Sequence, residues 1–100
     1  MKHLHYAGQV FAISDQLADT LADAITDFVR VGRSALWPVA GYQDEREVVA
    51  KVLCGPGIPF LIAPTWLPDD REPPKHDADS IAFIDGDHHA LEAELLDDDA

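Results

Sequence analysis

The chain has 100 residues, a formal net charge of −12 and a single cysteine, Cys54. That length holds one small domain. An acidic balance argues against direct nucleic-acid binding and against an anionic membrane surface, and a lone cysteine offers no internal disulfide, as in a reducing cytoplasm. The charge is unevenly spread. Residues 1–68 carry five basic residues against seven acids, net −2, whereas residues 69–100 carry two against twelve, net −10. The division predicts a core domain over residues 1–68 and an acidic, largely flexible tail over residues 69–100. Met1 to Tyr6 lack the apolar run of a secretory signal, and Gly55, Pro56, Gly57 and Pro59 break the longest apolar stretch. The expectation is a cytoplasmic protein without a membrane span.

In chain order, Leu4, Tyr6, Val10, Phe11 and Ile13 flank Gly8 and predict a strand, or a tight two-strand ribbon bent at Ala7-Gly8, over residues 3–13. Leu17, Leu21, Ala24, Ile25, Phe28 and Val29 then form the apolar stripe of an amphipathic helix over residues 15–31. Ser14 or Asp15 supplies its N-cap oxygen, and Gly32 is placed for a left-handed C-cap. Residues 35–39 read as a short strand that Pro38 pushes toward a sheet edge, and residues 41–47 read as a polar loop. Residues 48–54 and 58–63 are apolar runs around Gly55-Pro56-Gly57, a turn signature that predicts a hairpin. Apart from Lys51 this hairpin is apolar on both faces, which suggests a partner, a second subunit or a covering segment.

From Asp69 the pattern dissolves, apart from the helical spacing of Leu91, Leu95 and Leu96, whose C-terminal end the run Asp97-Asp98-Asp99 should fray. Residues 69–75 show no periodicity and read as a linker. Ile81, Phe83 and Ile84 form a short apolar island before an Asp85-Gly86 turn signal, suited to anchoring by strand addition. The tail is expected to be dispensable for folding of the core.

Four constellations bear on chemistry. Asp15, Asp19, Asp23 and Asp27 recur every four residues, one carboxylate ridge opposite the apolar stripe. Neighbours spaced in this way lie roughly 6 Å apart, close to the phosphate repeat of one DNA strand, but an ordinary solvated helix face is the simpler explanation. His76, Asp85, Asp87 and His88 gather hard oxygen and imidazole donors, and His3 and His5 share one side of a strand, but neither set has a metal-site spacing, so no metal and no cofactor is assigned. Cys54 reads as a small buried hydrophobe and not as a nucleophile. Trp37 and Trp66 read as core or interface anchors, since no basic groove accompanies them.

The ordered pattern of Tyr6 and Gly8, Phe11-Ala12-Ile13, the helix from Asp15, Arg30-Val31-Gly32-Arg33-Ser34, a Trp-containing strand and the Pro-Gly-Ile-Pro-Phe turn at residues 56–60 resembles a family of small uncharacterised actinobacterial proteins, sometimes mislabelled as ATP-dependent DNA ligases. No lysine stands in a KxDG context here, so ligase chemistry is not implied. Phe11 and Ile13, then Ala18, Leu21, Ile25, Phe28-Val29 and Gly32-Arg33, are also similar to the N-terminal dimerisation domain of the mycobacterial H-NS-like nucleoid silencer. That likeness implies self-association without DNA binding, because the basic module of that family is missing.

Taken together, the residues predict an α+β fold: a small antiparallel sheet of three to four strands with one long amphipathic helix on one face and an acidic C-terminal tail. Leu21, Ile25, Phe28 and Val29 should pack on Phe11, Val52 and Ile62. The functional expectation is a small non-enzymatic protein–protein interaction or regulatory protein that forms a homodimer. Its contact residues would be Trp37, Val49, Leu53, Phe60, Ile62 and Trp66, with Ile81, Phe83 and Ile84 as tail anchors. The alternative is a nucleic-acid-mimicking inhibitor, or decoy of a DNA-binding protein, that uses the acidic ridge. A metal-dependent enzyme is the third reading.

Overall fold

A computed structural model describes residues 1–65 and 69–97. The chain runs through strands β1 (Lys2–Tyr6) and β2 (Gln9–Ile13), helix α1 (Asp15–Arg30), strands β3 (Ala35–Gln43), β4 (Arg46–Cys54) and β5 (Leu61–Pro64), and helix α2 (Asp77–Asp97). The class is α+β. The antiparallel sheet has five strands in the order β4-β3-β2-β1-β5, which corrects the expected three to four.

Local rules explain the first half. The two-residue turn between β1 and β2 holds Ala7 at φ 50° and Gly8 at φ 77°. Positive φ at both corners matches the twist of the flanking strands. The Ser14 side chain accepts the Leu17 N–H at 3.1 Å and starts α1. At the other end Arg33 N–H reaches the Phe28 carbonyl (2.9 Å) and Gly32 N–H the Val29 carbonyl (3.1 Å), the paired bonds of a Schellman stop. Gly32 supplies its left-handed residue, at φ 74°. Leu17, Leu21, Ala24 and Phe28 are buried from this helix, whereas Ile25 is half-buried and Val29 is 41% exposed. Val29 therefore leaves the expected core set.

Residues 41–47 are not a loop. β3 and β4 pair across nine positions from Ala35↔Cys54 to Gln43↔Arg46, closed by Asp44 and Glu45, with Asp44 at φ 57°. Nine pairs closed by a two-residue turn cost little loop entropy, and this outweighs the polarity of the segment. Pro38 sits inside β3 without breaking it. Two residues on, the Ala40 N–H points away from β4 to the Ser80 hydroxyl oxygen (3.0 Å), so the N–H that Pro38 lacks belongs to that same side. β3 bridges β2 there only at Ala12↔Tyr42. The approach is close: a Cβ on Gly41 would lie 2.8 Å from the Ala12 carbonyl oxygen.

β4 and β5 do not form the expected hairpin and lie on opposite edges of the sheet. The Gly55–Ile58 turn does form, with Ile58 N–H on the Gly55 carbonyl at 3.2 Å. Phe60 then stacks on Tyr6 at 5.1 Å, and the Tyr6 hydroxyl accepts the Leu53 N–H at 3.0 Å. These contacts occupy the end of β4 and deliver Leu61–Pro64 to the free edge of β1 instead.

The largest correction concerns the acidic segment. Residues 77–97 form α2, and Ile84 and Leu91 join the same core as Leu4, Phe11, Ile13, Trp37, Val39 and Val52. Asp85-Gly86 is no turn, and the apolar island is no added strand. A glycine inside a helix costs about 1 kcal/mol, less than the ~1.5–3 kcal/mol that burying one large apolar side chain returns. Residues 69–75, expected as a free linker, lie along the β3–β4 turn. Tyr42 donates its hydroxyl to the Glu72 carbonyl (2.8 Å), Lys75 N–H reaches Glu47 (3.1 Å), and the Arg71 guanidinium sits 4.3 Å from the centre of the Tyr42 ring.

Candidate interaction surface

The β3–β4 ladder has one face in the core and one facing out. Trp37, Val39, Val52 and Cys54 are fully enclosed on the inner side. Alternation places Leu36, Pro38, Val49, Lys51 and Leu53 on the outer side, where Leu36 is 54%, Val49 50% and Leu53 42% exposed. Leu36 lies directly opposite Leu53. The segment from Glu72 to His76 covers this face from the turn as far as Ala40, which is fully buried, and lies beside Val49.

β4 is also an edge strand. Ala40, opposite Val49, points its N–H away from β4, so the backbone groups of this pair diverge. Leu53 has the same parity, and its N–H goes off the sheet to Tyr6. Glu47, Val49 and Lys51 therefore direct their N–H and C=O groups off the free edge. A row of this kind is a template for another strand.

The structure sorts the predicted contact residues. Val49 and Leu53 fall together on the outer face, and Leu36 joins them, a residue whose place the alternation of 35–39 around buried Trp37 could have signalled. Phe60 and Ile62 are half-buried, Phe60 against Tyr6. Trp37 is fully buried, edge-to-face on Phe28 at 5.2 Å, and donates its indole N–H to Asp87 at 2.8 Å. Ile84 is equally buried. Both are core residues of their own chain, which corrects their assignment to a contact surface. Ile81 is half-buried and Phe83 is 51% exposed, both on α2 rather than on a free tail. Trp66 lies outside the described residues.

The acidic ridge is not uniform. Asp15, Asp19 and Asp23 are exposed, but Asp15 lies 3.4 Å from the N-terminal amine. Asp27 is half-buried between the helices, 2.6 Å from His88 Nε2 and 3.1 Å from Arg30. The hydrogen bond with His88, helped by the positive charge of Arg30, holds its carboxyl below the ordinary 3.8. Glu92 completes a group with Asp27 and His88 whose donor atoms lie within 4.8 Å of one another. The other predicted donors disperse: His76 meets Asp79 at 3.1 Å, the Asp85 carbonyl meets His89 at 2.8 Å, and Asp87 is committed to Trp37.

Burial pushes the Cys54 thiol up, away from the thiolate a nucleophile needs. An open cleft of about 280 Å³ lies where α1 ends and β3 begins, beside α2. Of its charged groups, Arg33 and Glu94 are already paired with each other and Asp87 accepts the Trp37 indole N–H. No helix among the described residues is long and apolar enough to cross a membrane. Comparison with protein-family models, with curated proteins and with solved structures finds no match to this chain.

Proposed function

We propose that this chain is a small non-enzymatic interaction protein of the cytoplasm that works as a homodimer. The observation that carries the reading is the free β4 edge beside the exposed Leu36, Val49 and Leu53. Edge strands that stay unpaired are usually short, bulged or covered. This one is nine residues long and regular. A small domain also buries a modest share of its surface alone and gains from association. Charge favours a second copy at this place and opposes it elsewhere. On the outer face Leu36, Pro38, Val49, Lys51 and Leu53 carry one positive charge, and Glu47 at the turn end carries one negative charge, so the face is near neutral, whereas the chain as a whole carries −12. The likeness of residues 11–33 to a dimerisation unit points the same way.

Light scattering over a dilution series tests the proposal. A dimer at ~100 μM that dissociates on dilution supports it, and a monomer at that concentration, far above the micromolar range of a specific interface, refutes it. The nucleic-acid-mimicking alternative keeps Asp15, Asp19 and Asp23 but loses Asp27 to the helix interface. It requires binding to a basic protein that weakens steeply with salt.

A further inference from the structure

We infer that two copies of the chain join their β4 strands antiparallel, about a two-fold axis at Val49, into one continuous ten-stranded sheet. The inference rests on the homodimer reading and adds its register. The off-sheet N–H of Leu53 is already bonded to Tyr6, which leaves Glu47, Val49 and Lys51 as the open stretch, with Val49 at its centre. A two-fold interface must be complementary to itself. With Val49 on the axis, Glu47 of each copy stands opposite Lys51 of the other. All three free N–H groups of each strand then face carbonyls of the partner strand.

Neighbouring registers are poorer. Placing Lys51 on the axis sets two ammonium groups against each other, and placing Glu47 there does the same with carboxylates, both destabilising across strands. The registers between set Lys51 or Glu47 opposite Val49. A shift by one residue turns the free N–H groups away from the partner. An edge lysine ordinarily discourages pairing. Here it selects the one register that gives it a carboxylate. Among the described residues Lys51 makes no ion pair in its own chain, and Glu47 uses one carboxylate oxygen, Oε1, for the Lys75 N–H, which leaves the other for a lysine.

The test uses the full chain, mixed in equal amounts of light and heavy isotopic forms and treated with a water-soluble carbodiimide, which joins only carboxylates and amines in contact. Glu47 and Lys51 of one strand lie roughly 13 Å apart, too far for such a bond, so a Glu47–Lys51 link between light and heavy chains reports the register. In parallel, Glu47→Lys and Lys51→Glu should each weaken dimerisation roughly tenfold, and the double variant should recover most of the loss. Both side chains are exposed, and circular dichroism confirms that each variant keeps the fold. A monomeric wild type defeats the homodimer reading and this inference with it. A wild-type dimer that either ignores both single changes or is not rescued by the double overturns the register and leaves the homodimer standing.

Discussion

The two helices pack into one core by opposite means. α1 buries an unbroken apolar set, Leu17, Leu21, Ala24 and Phe28. α2 turns a mixed face to the same core: Asp77, Ser80, Ile84, Asp87, His88, Leu91 and Leu95 recur at helical spacing, and four of the seven are polar. Each polar member has its own distant partner. The Ser14 hydroxyl donates to Asp77 at 2.7 Å, Ser80 receives the Ala40 N–H, Asp87 receives the Trp37 indole N–H, and His88 meets Asp27. A helix can thus be integral to a core without an apolar stripe, provided every buried polar group is matched. The contrast explains why α1 is legible from periodicity along its length, whereas α2 shows it only at Leu91, Leu95 and Leu96.

The sharpest way to break the comparison is to remove one buried aliphatic from each helix. Ile84→Ala should cost about 2–5 kcal/mol, the same range as Leu21→Ala, because both side chains are fully enclosed. Deleting residues 77–100 should then abolish cooperative unfolding rather than trim a dispensable tail. Urea denaturation measures both. A silent Ile84→Ala beside a costly Leu21→Ala would place α2 outside the core.

A smaller effect isolates the polar half of the α2 face. Asp87→Ala leaves the buried Trp37 indole N–H without its acceptor and should cost about 1–3 kcal/mol. Asp87→Asn keeps an acceptor and should recover most of that loss. Equal destabilisation by both would show that the charge, not the hydrogen bond, matters.

Smaller still is a gain in the β1–β2 turn. Ala7 sits at φ 50°, where a Cβ is strained and asparagine is better tolerated. Ala7→Asn should raise stability by about 0.5–1 kcal/mol in the same urea series.

The smallest effect is a direction in pH. Asp27 has a folded-state pKa below its ordinary value, chiefly through the bond to His88. It contributes stability that is present above the unfolded value and lost as pH falls through the folded one. His88→Ala should therefore flatten the acid limb of the stability curve. The Asp27 carboxyl, followed by NMR, should at the same time move its midpoint upward.

How much could be read in advance follows from how local each cause is. The Ser14 cap, the Gly32 stop, the bend at Ala7-Gly8 and the stripe from Leu17 to Phe28 are decided within a few residues of themselves. The strand order is not: β5 goes to β1 because the Tyr6 ring holds Phe60 and the Tyr6 hydroxyl holds the Leu53 N–H, a contact across 47 positions. The acids of residues 77–97 suggested a solvated tail because Asp79, Asp85, Glu92 and Glu94 do face water. Their number masked the core role of Ile84, read as a tail anchor, and of Leu91. In the candidate surface, Val49 and Leu53 were legible because nothing in their own segment required both of its faces to be apolar. Trp37 misled, since its aromatic bulk suits a core and an interface alike, and only Phe28 and Asp87 decide between them.

The most direct test of assembly through β4 is amide hydrogen exchange of the full chain at low and high concentration. Val48, Ala50 and Val52 bond inward to β3 and should be protected at every concentration. Glu47, Val49 and Lys51 should exchange freely when dilute and slow together as concentration rises through the dimerisation range. Free exchange at all three positions at every concentration would contradict the account.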